Sequence, residues 1–220
     1  NSQEFYRAEN GQPIGYFWGY QTAGIFQNEK QIDDWVAAGN GILQESPKPG
    51  DVIYVDVNHD GIIDSNDKVN LGNGMPKFTY GFNINLYWKN FDLGIVATGV
   101  AGNKLVQSYR NQVNQKANYT TRILDRWTGE GTSNKIPRVT NTNINWQFSD
   151  LYLQDGDFLR ISNVTLGYDF APLMNQKWCS QCRLYFQAQN LLTFTKYDGM
   201  DPEIGYGTQS WVSGVDLGYY

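Results

Sequence analysis

Residues 78–88 constrain the fold of this chain more than any others. In FTYGFNINLYW the even positions Phe78, Tyr80, Phe82, Ile84, Leu86 and Trp88 are all apolar or aromatic, and the odd positions are Thr79, Gly81, Asn83, Asn85 and Tyr87. A β-strand turns successive side chains to opposite faces, so a period of two describes a strand with one apolar and one polar side. A helix would scatter the same residues around its circumference. Lys89 and Asn90 leave a two-residue connection before FDLGIVATG resumes the alternation with Phe91, Leu93, Ile95 and Ala97. The pair predicts an antiparallel hairpin.

Two further segments repeat the pattern. FLRISNVTLGYDF (158–170) sets Val164, Leu166, Tyr168 and Phe170 on one side, and RLYFQAQNLLTF (183–194) sets Leu184, Phe186 and Ala188, with Pro172 and a short polar stretch between them. These strands exceed the usual globular length of about five or six residues and match the roughly 9–11 that a tilted strand needs to cross a bilayer. Residues 101–157 between the pairs are too long for an ordinary loop of a compact soluble domain, and one helix is expected there, over Tyr119 to Thr128, stopped by Gly129. Short turns alternating with long loops are the pattern of outer-membrane barrels. A secreted β-sandwich also accommodates long strands, so the pattern alone leaves both open.

Composition removes other classes. The chain has 220 residues, 15% of them aromatic and 18% charged, with 23 glycines, a mix typical of strands and turns. Its net charge of −5 comes without any basic cluster, so a nucleic-acid partner is excluded by the lack of groups to neutralise phosphates. No run of apolar residues is long enough for a transmembrane helix, and the start NSQEFYRAENG has no signal-peptide core, which reads as an internal start. Cys179 and Cys182 are the two cysteines. Zinc would need two more soft ligands, and the single histidine, His59, sits in a distant acidic loop; a turn with two thiols or a local disulfide is expected.

That acidic loop is DVNHDGIIDSND. Asp56, Asn58 and Asp60 alternate ahead of Gly61, the carbonyl of Ile62 follows, and Asp64 and Asp67 complete the set. Calcium takes six to eight hard oxygens, and the glycine permits the sharp bend that folds them round one ion. The spacing is that of an EF-hand loop with Asp in place of the bidentate final Glu, as in dockerin-type loops, which weakens the expected affinity. Self-capping Asx turns are the alternative for such a run. Ile63 can pin the loop to a neighbouring surface, and no flanking amphipathic helices accompany it, so a structural staple is expected and a sensor is not.

Several phrases carry a resemblance. GDVIYVDVNHDGIIDSNDKV, LGNGMPKFTYGFNINLYWKNFDLGIVATGVAGN, LDRWTGEG, DGDFLRISNVTLGYDF and RLYFQAQNLLTFTKYDGMDPE, in this order, closely resemble the C-terminal part of SusC/RagA-type TonB-dependent outer-membrane transporters of Bacteroidota, and GYFWGYQTAGIFQNEKQI (15–32) resembles the stretch just upstream. The resemblance implies an all-β fold, an antiparallel transmembrane β-barrel of roughly 22 strands around a plug, of which this chain supplies the C-terminal strands and long extracellular loops. The implied organisation is an extracellular region with preceding strands over 1–77, a transmembrane hairpin over 78–100, an extracellular loop over 101–157, a strand pair over 158–194, and a loop over 195–220 whose ending GVDLGYY leads towards a last strand. Lys89-Asn90 and the 172–182 turn then face the periplasm; 1–77, 101–157 and 195–218 face outside.

The resemblance implies uptake of an oligosaccharide or peptide substrate, energised by the TonB complex through parts of the protein outside these residues. It also implies a SusD-like lipoprotein as lid and outer-membrane lipid around the wall. Outer-loop aromatics Trp146, Tyr206 and Trp211 are candidates for stacking on substrate, loop packing being the ordinary role of such residues. Read from the residues alone, a secreted calcium-stabilised β-sandwich that binds carbohydrate remains the competing function. Catalysis is not expected: Asp155 with Asp157, or Asp201 with Glu203, are carboxylate pairs on turns, a common arrangement that fixes no separation across a substrate.

Overall fold

The protein is described from a computed structural model, in which residues 6–107, 121–140, 143–174, 182–203 and 213–216 are placed. In chain order the elements are β1 (Tyr6–Arg7), β2 (Tyr16–Tyr20), β3 (Thr22–Ile25), α1 (Glu29–Ala37), β4 (Val52–Tyr54), β5 (Lys68–Asn73), β6 (Phe78–Trp88) and β7 (Phe91–Ala101), then β8 (Lys104–Gln107), β9 (Leu153–Asp155), β10 (Phe158–Asp169), α2 (Ala171–Met174), β11 (Arg183–Thr195) and β12 (Val215–Asp216). Among the described residues no helix is long and apolar enough to cross a membrane.

The long strands form one antiparallel wall in the order β11-β10-β7-β6. The hairpin closes with Trp88 opposite Phe91, and Lys89 in the turn adopts φ 53°. Residues opposite one another share a face. Phe82, Ile84, Leu86 and Trp88 therefore lie beside Ala97, Ile95, Leu93 and Phe91, which in turn lie beside Ile161, Val164, Leu166 and Tyr168. Leu192, Ala188, Phe186 and Leu184 continue the same face on β11. No charged side chain interrupts it. Phe82, Leu86, Leu166, Phe186 and Leu192 are all exposed, and an uncovered apolar face of this extent marks an interaction surface.

Aromatic rings gather at both ends of this face. Near the hairpin turn Trp88 stacks on Phe91 (6.2 Å between centroids), Phe91 meets Tyr168 edge-on (4.5 Å), and Tyr168 meets Phe170 (4.6 Å). At the far end Phe78, Tyr80 and Phe82 form a second row, at 5.7 and 5.9 Å. Tyr80 lies over Gly99, and its hydroxyl donates to the Phe158 carbonyl at 3.0 Å. The middle of the face is aliphatic.

The opposite face is polar. Asn85 donates to Asn83 (3.2 Å), Gln187 to Asn163 (2.8 Å) and Asn163 to Thr165 (3.2 Å). Arg183 on β11 grips Asp92 on β7 through two hydrogen bonds, 2.8 and 2.6 Å. Their contact passes over Gly167 of the strand between them, where a Cβ would sit 2.6 Å from the guanidinium. Gly167→Val is expected to break the pair and weaken the wall by about 1–3 kcal/mol, in the range for overpacking, while Gly129→Ala, which meets nothing within 4 Å, changes the unfolding midpoint little; equal effects would refute the crossing.

One feature of β10 departs from a plain alternation. Its register shifts between Ile161 and Asn163 against both neighbours, and Asn190 on β11 adopts φ 49° beside the shift. A bulge inserts one residue and reverses the phase: odd residues Leu159 and Ile161 lie on the apolar face before it, even residues Val164 to Tyr168 after it. Phe158 and Arg160 are thereby moved to the polar side.

The remaining segments are folded, not trailing loops. Tyr20, Val52, Tyr54 and Ile63 form one buried cluster joined by Leu43 and by Leu151 of the long loop; Phe26, Ile32 and Ile53 form a second with Trp35 and Ile42. Helix α1 is an element that period-two reading passes over. Asn28 caps it by accepting the Gln31 amide, and its apolar positions Ile32, Trp35 and Val36 follow helical spacing. The helix expected over Tyr119 to Thr128 is corrected to a 3-10 turn at Thr121–Asp125, with residues 108–120 outside the description. The reason lies just beyond it: Trp127 donates its amide across the loop to the Ile136 carbonyl (2.8 Å), which draws the backbone out of helical bonding.

Candidate functional site

Three polar constellations stand out among the described residues, one within a single loop and two between distant segments. The first is the acidic loop. Gly61 (φ 82°) and His59 (φ 60°) reverse the chain in left-handed conformations. Asp56 accepts the amides of His59 and Gly61, both at 2.7 Å; Asp67 accepts those of Val57 (2.9 Å) and Asp64 (2.8 Å). Asp56 and Asp67 are buried, and neither enters an ion pair among the described residues. Burial pushes the Asp67 carboxyl up, but the amides of Asp64, Val57 and Asn58, together with the Asp56 side chain, outweigh it and hold it below the ordinary range.

The rim of the same loop carries Asn58, whose side-chain amide donates to Asp60 (2.9 Å), and Asp64, which accepts the Asn66 amide (2.7 Å). Ile62 is exposed while Ile63 is buried in the cluster with Tyr20 and Tyr54. The side chains thus face the backbone turns, and among the described residues no three His, Cys, Asp or Glu groups converge as metal ligands. The candidate ligands are hard oxygens, the class that calcium takes, and Asp56, Asp60, Asp64 and Asp67 here accept backbone amides, as self-capping Asx turns do.

The second constellation joins the long loop to the first segment. Asp51 is fully buried, and Arg138 donates to its two oxygens at 2.7 and 3.2 Å. The Asn145 side chain donates to Asp51 (2.9 Å) and accepts the Val52 amide (3.0 Å), while the Lys48 amide donates to Asp51 (2.9 Å). Further bonds cross the same seam: Thr22 to Asp150 (2.7 Å), the Ile25 amide to Asn134 (3.0 Å) and Trp127 to Gln27 (3.2 Å).

The third is Arg160, on the polar side of the wall because of the bulge. It donates to Thr193 (3.1 Å) and Glu203 (2.7 Å) and pairs with Asp201. The segment after β11 is therefore drawn back over the polar face.

The chain is similar to known proteins, although no family model matches it. It is 30% identical over 198 residues to TonB-dependent receptor P3 of Formosa agariphila, covering 89% of this chain and 19% of that relative. Against TonB-dependent receptor SusC of Bacteroides thetaiotaomicron it is 30% identical over 175 residues, 76% of this chain and 17% of the relative. The chain is recognised as a stretch of a SusC/RagA-type TonB-dependent receptor. A solved structure of the RagAB peptide transporter superposes with a TM-score of 0.64 over 92% of the chain and 21% of its own, at 21% identity. Another, of the RagAB peptide importer in the open-open state, gives 0.63 over 96% and 22%, at 20% identity; likenesses this remote speak for the fold alone.

Within this SusC/RagA-type stretch, the carboxylate pairs weighed for catalysis are occupied by structure. Asp155 pairs with Lys104 (2.6 Å), Asp157 accepts the Gly102 amide (2.7 Å), and Asp201 and Glu203 hold Arg160. Trp146 is half-buried in the 3-10 turn Asn143–Trp146; Tyr206, Trp211 and Cys179 lie outside the described residues, and Cys182 is a free thiol. Sequence reading missed Asp51, Arg138 and Arg160. These Arg-Asp pairs leave no local signal, since their partners are 87 and 41 residues apart.

Proposed function

We propose that this chain is the C-terminal part of the barrel and outer loops of an importer in the bacterial outer membrane. The importer takes up glycan or peptide fragments, is energised by the TonB complex and is closed by a SusD-like surface lipoprotein. The observation that carries this is the wall: an uncharged apolar face bounded by two aromatic rows, backed by a polar face, is the signature of a barrel with lipid outside and water inside. Its outer strands β6 and β11 have no further partner among the described strands, and closure into roughly 22 strands removes such edges. With the Lys89-Asn90 turn towards the periplasm, the acidic loop and the 101–157 loop stand outside the cell.

The competing secreted sandwich would need a second sheet over the apolar face, and none of the other described sheets covers it, since its large side chains stay exposed. The test is fractionation and uptake with the full-length protein. Recovery in the outer membrane, with surface protease cleaving within 101–157 and not at Lys89-Asn90, supports the importer. A cooperative, monomeric fold of residues 1–220 alone in detergent-free buffer overturns it.

The acidic loop is proposed to hold one Ca²⁺ through Asp56, Asn58, Asp60, the Ile62 carbonyl, Asp64 and Asp67, as a staple that stiffens the chain entering β5. With Asp in the last position the affinity is expected on the order of 10⁻⁴–10⁻³ M, as for extracellular modules. Adding calcium at about ten times such a Kd contributes about 1.4 kcal/mol to the loop, read as slower protease cleavage at residues 56–67. Asp67→Asn abolishes the difference; identical cleavage in calcium and in chelator refutes the site.

A further inference from the structure

We propose that the cleft between the turn Thr121–Asp125, residues 135–137 and the Leu151-Tyr152 pair is a subsite for the C-terminal end of a peptide. The end it fits has an aliphatic last residue and a free carboxylate. This rests on the importer reading above, which puts the 101–157 loop on the substrate side.

The cleft has a volume of about 190 Å³, below the 300 Å³ or so of a pocket that engulfs a whole ligand. It is the size of a subsite for one residue. Its shape is held from three sides. Trp127 and Ile136 close the 127–136 segment through their 2.8 Å backbone bond, and Ser133 accepts the Lys135 and Ile136 amides at 3.3 and 3.1 Å. Leu151 is anchored in the cluster with Tyr20, and the Tyr152 hydroxyl donates to the Asn145 carbonyl at 2.8 Å. Asn145 is itself locked to Asp51, so the seam that ties the loop to the first segment also sets this wall of the cleft.

Charge decides the ligand. Arg122 and Lys135 both line the cleft, and no carboxylate does. Lys135 enters no ion pair among the described residues. Arg122 pairs through Nε with Asp198 at 3.4 Å and donates through Nη1 to the Gln107 side chain at 3.1 Å, which leaves Nη2 to meet a ligand. Two cations with spare donors in a chain of net charge −5 select an anion.

The floor decides which anion. Ile123, Ile136, Pro137 and Leu151 are aliphatic, and Tyr152 is the one aromatic lining residue. An acidic sugar would set its hydroxyls against this largely aliphatic floor, whereas a C-terminal leucine or valine carries its carboxylate and its aliphatic side chain on the same carbon.

The test uses the full-length receptor in detergent and three fluorescent probes: a peptide ending Gly-Gly-Leu with a free carboxylate, the same peptide as its C-terminal amide, and a galacturonate trimer. The acid binds and the amide binds at least about tenfold more weakly, as expected for losing a charge-assisted contact. Lys135→Gln and Arg122→Gln each weaken the acid by about tenfold without moving the thermal midpoint, and Lys30→Gln, at an exposed lysine of α1 that does not line the cleft, leaves binding unchanged. Equal binding of acid and amide, indifference to Lys135→Gln, or binding of the galacturonate trimer in place of the peptide overturns the proposal. A receptor that reaches the outer membrane and imports nutrient without these effects removes the subsite alone; a protein absent from the outer membrane removes the importer reading with it.

Discussion

Arginine at Ile95 is expected to destabilise the wall by about 2–4 kcal/mol, the cost of a cation at the bilayer midplane of a barrel, while arginine at the adjacent Val96 costs far less. Ile95 is flanked by Ile84 on β6 and Val164 on β10, in the aliphatic middle of the apolar face; Val96 is flanked by Asn83 and Asn163 on the polar one. A charged residue alone would not separate lipid from a packed protein interior, since both reject it. Volume does. Lipid chains rearrange around any apolar side chain, so Ile95→Trp should be nearly neutral, whereas a close-packed core would charge about 1–3 kcal/mol for the extra atoms. Urea unfolding of the full receptor in lipid vesicles measures all three variants. A costly tryptophan would place a second protein layer over this face and favour the sandwich.

The legibility of this chain follows from how far each feature reaches along it. The wall was readable because period two is a local rule, and 78–101 obeys it without interruption. The β10 segment obeys it only after Asn163, since the bulge reverses phase and hides Leu159 and Ile161 among residues that look misplaced. The purpose of that reversal is visible only in three dimensions: it turns Arg160 towards Asp201 and Glu203. Helix α1 left ordinary signals, Asn28 as cap and Ile32, Trp35 and Val36 at helical spacing, but they were submerged in a region expected to be loop. The acidic loop was legible as a ligand set, yet its sequence did not disclose that Asp56 and Asp67 are buried while Asn58, Asp60 and Asp64 stay on the rim.

The feature least visible in the sequence carries the other large expected effect. Asp51→Ala should destabilise the packing of the long loop on the first segment by about 3–5 kcal/mol, the range for breaking a buried ion pair from one side. Arg138 loses both acceptors, the Asn145 amide loses one, and the Lys48 backbone amide is left unbonded. The loss is local because the wall is held by its own ladders, so the receptor should still insert into the membrane while residues 126–138 become sensitive to protease and exchange their amides faster. The double variant Asp51→Ala with Arg138→Ala should recover part of the loss, since much of the single-variant cost is an arginine stranded in a half-buried place. Gly50 is involved for the same reason: the Arg138 amide donates to its carbonyl at 2.9 Å, and the Arg138 stem and Trp127 ring leave no room for a Cβ there. If protection of 126–138 survived Asp51→Ala, the loop would be fastened chiefly by Leu151 and the Trp127-Gln27 and Asn134-Ile25 bonds. The charge pair would then act on register, not on strength.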